Sequence, residues 1–215
     1  MKKRIKAVIF DIGGVLALNK NPTTIKRGIS TKTLGIHQCI AKKLNLSLDQ
    51  WFDSADEAYI HSFEGKVSYK KTLDIISKNT KTPNRKLRKI LVTPYKKNFK
   101  QNILLHKLAS KLKKQGYKIA VLSDQWHPSK EGVVLKKYYK KFNVVVLSCD
   151  VGFRKPDIRI YKLTLKKLKL KPNQVIFIDN QIWNIKPAKK LGMKTILFRN
   201  NNQTIKEMKK FGIGV

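Results

Sequence analysis

Three side chains suited to phosphate or metal chemistry stand at the ends of strongly apolar runs. Asp11 follows Val8-Ile9-Phe10, Ser123 follows Ile119-Ala120-Val121-Leu122, and Asp179 follows Val175-Ile176-Phe177-Ile178. A fourth, Lys155, lies in Arg154-Lys155-Pro156-Asp157, shortly after the run Val144-Val145-Val146-Leu147. A carboxylate at the end of a buried run is costly without a partner, and a lone one is most often a turn or cap residue. Two of them, joined in order by a hydroxyl and a Lys-Pro loop, are explained most simply by one site assembled from four strand ends.

The elements that must position these groups are legible in the same runs. They are continuous rather than alternating, as is a fifth at Thr195-Ile196-Leu197-Phe198, and such runs fit parallel strands covered on both faces. Between them, apolar residues recur at helical spacing: Leu104, Leu105, Leu108 and Leu112; Tyr161, Leu163, Leu165 and Leu168; Ile182, Ile185, Ala188 and Leu191, the last set closed by Gly192. Strand, helix, strand repeated in this way predicts an open α/β sheet, in which ligands bind outside the carboxyl ends of the strands.

The chain has 215 residues, with 48 Lys and Arg against 13 Asp and Glu, a net charge of +35. That length suits one core with an inserted subdomain. The charge implies non-specific affinity for polyanions, nucleic acid among them, at low salt. The cations are spread over nearly every helical segment, and neither a C2H2 pattern nor an aromatic RNA-recognition motif is present, so sequence-specific readout is not expected. Met1-Lys2-Lys3-Arg4-Ile5-Lys6 and the short run after it read as a strand rather than a signal peptide, because Asp11 ends the run. No apolar stretch approaches a membrane span. Cys39 and Cys149 form no close-spaced pair, which points to a reducing cytoplasm.

In their order, these residues resemble the haloacid dehalogenase-like hydrolase superfamily, across the stretch from Asp11 to Asn180. The first motif reads Val8-Ile9-Phe10-Asp11-Ile12-Gly13-Gly14-Val15-Leu16, the second ends at Ser123, and the third is Gly152-Phe153-Arg154-Lys155-Pro156-Asp157. The fourth is Val175-Ile176-Phe177-Ile178-Asp179-Asn180, followed by Asn184. The Asp-x-Gly-Gly opening and the segment Arg154 to Tyr161 look like the sugar-phosphate phosphatase branch, which includes glucose-1-phosphate phosphatase and the phosphatase domain of soluble epoxide hydrolase. The resemblance implies a Rossmann-like three-layer core with a parallel sheet, formed by residues 1–16 and 103–215, and a helical cap inserted at 17–102. It further implies that Asp11 attacks phosphorus and carries an aspartyl phosphate, and that Mg²⁺ is held by Asp11, Asp179 and the Gly13 carbonyl. Gly13, Gly14, Ser123, Asp124 and Lys155 would surround the phosphate of a small phosphorylated substrate, with Ser123 and Lys155 also catalytic.

Two positions depart from the family pattern. Gly13 stands where most family phosphatases carry a second Asp, which protonates the leaving alcohol and then activates water. Asp124 and His127 are candidate replacements by sequence proximity alone. Asn180 replaces a carboxylate often found beside the metal ligand, which predicts weaker metal affinity. Dehalogenases of the superfamily typically carry an aromatic residue at the Gly13 position and lack a counterpart of Asp179, so phosphate chemistry is the better match. The other expectations are a weakened relative that only binds phosphate or nucleic acid, and a phosphatase acting on nucleotide or nucleic-acid ends.

Within the insert, Ser47 with Gln50 forms a capping-box pattern, Ser68 precedes a helix from Tyr69, and Pro83 suits a first helical position. Trp51, Phe52, Tyr59, Ile60 and Phe63 are read as the insert's apolar core, with Tyr59 or His61 as candidates to face substrate.

Overall fold

The computed structural model describes residues 5–20 and 31–214. In chain order the strands are β1 (Ala7–Phe10), β2 (Ala17–Asn19), β3 (Phe99–Gln101), β4 (Lys118–Ser123), β5 (Val144–Leu147), β6 (Val175–Asp179) and β7 (Lys194–Leu197). Helices α1 (Thr31–Leu44), α2 (Leu48–Phe63), α3 (Tyr69–Thr80) and α4 (Asn84–Asn98) lie between β2 and β3. The later helices are α5 (Ile103–Lys114), α6 (His127–Val133), α7 (Lys136–Tyr139), α8 (Ser148–Val151), α9 (Ile158–Leu168), α10 (Ile182–Lys190) and α11 (Asn201–Lys210).

The chain divides into two compact units. The first comprises residues 1–18, 101–124 and 136–215, and contains a five-stranded parallel sheet in the order β5-β4-β1-β6-β7. This is the Rossmann-like α/β architecture expected from the repeating strand–helix pattern. The central strand β1 is fully buried, as are β6 and β4 beyond Lys118. β5 lies at the sheet edge, where Val145 is 38% exposed, so burial on both faces fails there. Ile9, Leu122, Val146, Tyr161, Leu165, Phe177 and Ile185 belong to one apolar cluster of this unit. The helical stripes are narrower than their apolar residues suggest: Leu105, Leu108 and Leu112 are buried, whereas Leu104 and Ile182 are exposed. Gly192, at φ +92°, ends α10 in the left-handed conformation that a side chain would strain.

The second unit comprises residues 19–100 together with 125–135. The Ser47–Gln50 capping box forms, with Ser47 Oγ accepting from Gln50 N–H at 3.1 Å and Gln50 Oε1 accepting from Ser47 N–H at 2.9 Å. Ser68 likewise caps α3 through Lys71 N–H. Pro83 is the residue before α4 rather than its first helical position. Trp51 is fully buried and its indole N–H donates to His37 Nδ1 at 2.8 Å. Tyr59 packs edge-on against Phe63 and Trp126, so its ring belongs to the aromatic core of this unit. Ile60, expected in that core, is 46% exposed.

The segment 125–135 is too short for its periodicity to announce a partner, and its anchors become visible only in three dimensions. Trp126 Nε1 donates to Tyr95 Oη at 2.8 Å, Tyr69 Oη donates to Glu131 at 2.7 Å, and Gly132 lies so close to α4 that a Cβ would sit 2.5 Å from that of Tyr95. The short strands β2 and β3, also unannounced, pair with each other where the chain enters and leaves the long helical segment. Among the described residues, no helix is long and apolar enough to cross a membrane.

Candidate active site

Parallel strands bring their carboxyl ends to one edge of the sheet, and register decides which residues meet there. Phe10 is level with Val121 on one side and Ile178 on the other, so Asp11, one residue further, comes level with Asp179 across β6. The Asp11 N–H continues the ladder by donating to Ile178 O at 2.9 Å. Ser123 closes β4 beside them, and its hydroxyl is hydrogen-bonded to the Asp11 carboxyl.

Lys155 reaches this edge from the loop ahead of α9. Its Nζ donates to Asp179 Oδ2 at 2.6 Å and lies 3.1 Å from Asp11 Oδ1. The ammonium and both carboxylates are almost wholly buried. A buried cation is tolerable only when paired, and the two carboxylates hold the Lys155 ammonium charged, against a desolvation that alone would lower its pKa. The same environment pushes the Asp11 carboxyl up to about 7. Burial is the largest cause and Asp179 adds to it, with Lys155 and Ser123 opposing.

Asp179 is held by a further side chain. Asn184 Nδ2 donates to both carboxylate oxygens, at 3.2 and 3.1 Å, and the Gln181 N–H donates to Oδ1 at 2.8 Å. Asn184 is itself fixed through its backbone carbonyl, which accepts from the buried Tyr161 hydroxyl at 2.9 Å. The signal for this role is positional: Asn184 follows Asp179 by five residues and lies in the first turn of α10.

The turn after Asp11 explains the second of the paired glycines. Gly14 has φ +81°, and a Cβ there would stand 2.4 Å from Asn180 Nδ2, so both backbone conformation and close approach demand glycine. At Gly13 an added Cβ would meet no atom within 4 Å. Asp124 Oδ1 accepts the Lys155 backbone N–H at 2.9 Å, an anion tied to the Lys155 loop. Its carboxyl is pushed up by burial and pulled down by Lys155. His127 is engaged within the helical unit, with its N–H on Ser62 Oγ and Nε2 3.0 Å from Val67 O.

A hard divalent cation fits these residues. Asp11 Oδ1 makes no well-aligned hydrogen bond despite its nearness to Lys155, and the buried Asn180 Oδ1 beside Gly14 also has none. Among the described residues, no group of three or more His, Cys, Asp or Glu gathers that could hold a metal, here or elsewhere. Such a cation takes carboxylate oxygens together with neutral oxygens such as backbone carbonyls.

A sequence profile of haloacid dehalogenase-like hydrolases matches residues 5–192. The chain belongs to the haloacid dehalogenase-like hydrolase family. It is 34% identical over 116 residues to the bifunctional epoxide hydrolase 2 of Sus scrofa, a match covering 52% of this chain and 21% of that protein. It is 24% identical over 211 residues to the glyceraldehyde 3-phosphate phosphatase of Methanocaldococcus jannaschii, covering 89% of this chain and 84% of that protein. The chain thus spans only about a fifth of the epoxide hydrolase but most of the archaeal phosphatase. Among solved structures, a point mutant of a HAD family enzyme of Bacteroides thetaiotaomicron, in complex with magnesium and inorganic phosphate, superposes with a TM-score of 0.70. It shares 18% identity and covers 91% of this chain and 94% of its own. At that identity the likeness speaks for the hydrolase fold.

Proposed function

We propose that this hydrolase cleaves phosphomonoesters of small metabolites through an aspartyl phosphate on Asp11. The observation that carries the reading is the buried Lys155 ammonium in contact with both Asp11 and Asp179 at the carboxyl edge of the sheet. A carboxylate kept beside a fixed cation can attack a dianionic phosphorus centre, splitting one displacement into two. Lys155 offsets charge on the transferring group, and the Ser123 hydroxyl turns from Asp11 toward a phosphoryl oxygen. Asn184 and Tyr161 hold Asp179 in orientation, and Asp124 holds the Lys155 loop. Mg²⁺, when bound by Asp11, Asp179 and the Gly13 carbonyl, would supply further charge neutralisation. The helical segment 17–102 is proposed as the cap that excludes water and selects the substrate.

The reading is supported by the archaeal phosphatase relative and by family membership. Its test is phosphate release from sugar phosphates, nucleotides and phosphorylated oligonucleotides, with Mg²⁺ or with chelator, for wild type and Asp11→Asn. Metal-dependent release that falls by at least about 10²-fold in the variant is expected, the scale of losing a nucleophile being larger than that of a positioning contact. Equal rates in the two proteins would sink the mechanism.

A second reading, binding to polyanions, is favoured by a groove of about 410 Å³ lined by Lys107, Lys111, Lys114 and Lys141 and by no carboxylate. Binding to single-stranded DNA that weakens steeply with salt, and persists in Asp11→Asn, would support it. Retention that is insensitive to salt would exclude it.

A further inference from the structure

Of the three tryptophans, Trp51 and Trp126 are fully buried, whereas Trp183 is 55% exposed and stands beside the exposed Ile182 at the start of α10. A single apolar side chain in water needs no explanation, but here the helix continues it into a groove. Residues three, four and seven positions after Trp183 lie on its face of the helix. They are Lys186, Pro187 and Lys190, which line a groove of about 560 Å³ together with Ile158 and Lys162 of α9 and with Leu191. The floor is aliphatic, with Ile158, Pro187 and Leu191 half-buried, and the rim is cationic, with Lys162, Lys186 and Lys190 exposed. No Asp or Glu lines it, and all of it belongs to the unit that contains the parallel sheet.

We infer that this groove docks an acidic segment of a partner protein, which seats an apolar side chain between α9 and α10 beside Trp183 and sets carboxylates on the three lysines. This docking goes beyond the phosphohydrolase reading and does not depend on it. A concave aliphatic floor accepts an inserted side chain, and a large aromatic at its edge is the kind of residue that carries binding energy in such contacts. The lysines set the sign of the partner, because like charges brought together at an interface are costly. Two other occupants fit less well. A second copy of the chain would bring another net charge of +35 to the contact. A single nucleic-acid strand is held by successive aromatic faces on which its bases stack, whereas Trp183 leads into an aliphatic floor.

Trp183 is also the reporter, since the other two tryptophans are buried. The test titrates the full chain at physiological ionic strength with three labelled probes, reading anisotropy and tryptophan emission. The probes are a short peptide of Glu, Leu and Phe, its charge-matched counterpart with Ser in place of Leu and Phe, and oligo-dT. The expected result is binding of the Leu- and Phe-containing peptide at least about tenfold tighter than its Ser counterpart, with a blue shift of the emission. Lys186→Glu combined with Lys190→Glu should weaken that peptide at least about tenfold more than the equal charge change Lys209→Glu with Lys210→Glu, and Trp183→Ala should weaken it and abolish the shift. Equal affinity for the two peptides, binding of neither, or a preference untouched by the groove variants would overturn the inference. Tighter binding of oligo-dT with quenching of Trp183 would assign the groove to nucleic acid instead, and an emission change that follows protein concentration alone would assign it to a second copy. The wild-type preference between the two peptides decides the matter even if a variant does not fold.

Discussion

Replacing Lys155 by Met removes a charge while keeping a long unbranched side chain in a site with almost no exposure. In wild type its Nζ lies 2.6 Å from one buried carboxylate and 3.1 Å from another. At an effective dielectric of about 20 these separations correspond to attractions of about 6 and about 5 kcal/mol. Desolvation of the three charges offsets most of that, and removing one member of a buried ion pair costs about 3–5 kcal/mol in practice. The variant leaves Asp11 and Asp179 facing each other with no cation between them. Its penalty must therefore depend on pH. Asp11 is already pushed up to about 7, and losing Lys155 raises it further. A carboxyl whose pKa is higher in the folded state binds its proton there more readily than in the unfolded chain, so the variant recovers stability as pH falls. Urea unfolding of both proteins without divalent metal, at pH 8 and pH 5, reads this directly. The expected loss is about 3–5 kcal/mol at pH 8 and at least about 1 kcal/mol less at pH 5. Equal losses at both pH values, or a loss under about 1 kcal/mol at pH 8, would refute the reasoning that this lysine is the internal counterion of the two aspartates.

Two further outcomes are expected. Gly14→Ala adds a Cβ at φ +81° and 2.4 Å from Asn180 Nδ2, so it should destabilise the protein by more than about 1 kcal/mol in urea; adding Asn180→Ala should restore the part due to the clash and not the part due to backbone strain. His37 and His106 are buried and lowered to about 4, chiefly by that burial. The unfolded chain therefore takes up protons first, and stability should be complete above about pH 6.5 and fall toward pH 4 by up to about 3 kcal/mol for each. A double His37→Gln, His106→Gln variant whose pH profile matched that of wild type would contradict this assignment.

Much of the site was legible in the chain because its chemistry sits on the strongest pattern a soluble sequence can carry. Continuous apolar runs announce buried parallel strands, and a charged or hydroxyl residue closing such a run is conspicuous, as Asp11, Ser123 and Asp179 were. Composition also stated the charge of +35 outright.

What the chain could not disclose depends on distances between segments remote in sequence. Strand order β5-β4-β1-β6-β7 puts Asp11 between Ser123 and Asp179, and only that order makes Lys155 bridge two carboxylates. The need for glycine at residue 14 comes partly from an asparagine 166 positions away, whose amide fills the place of a Cβ. Edge position, not residue type, exposes Val145. The stretch 125–135 joins the helical unit through side chains such as Trp126, His127 and Glu131 and the close approach of Gly132, which leave no periodic trace. Local sequence determines which segments are buried and where each ends, because burial follows apolar content and chain geometry. Partnership between side chains is decided by packing, since a carboxylate, an amide or a glycine has no preferred partner until the fold brings one within reach.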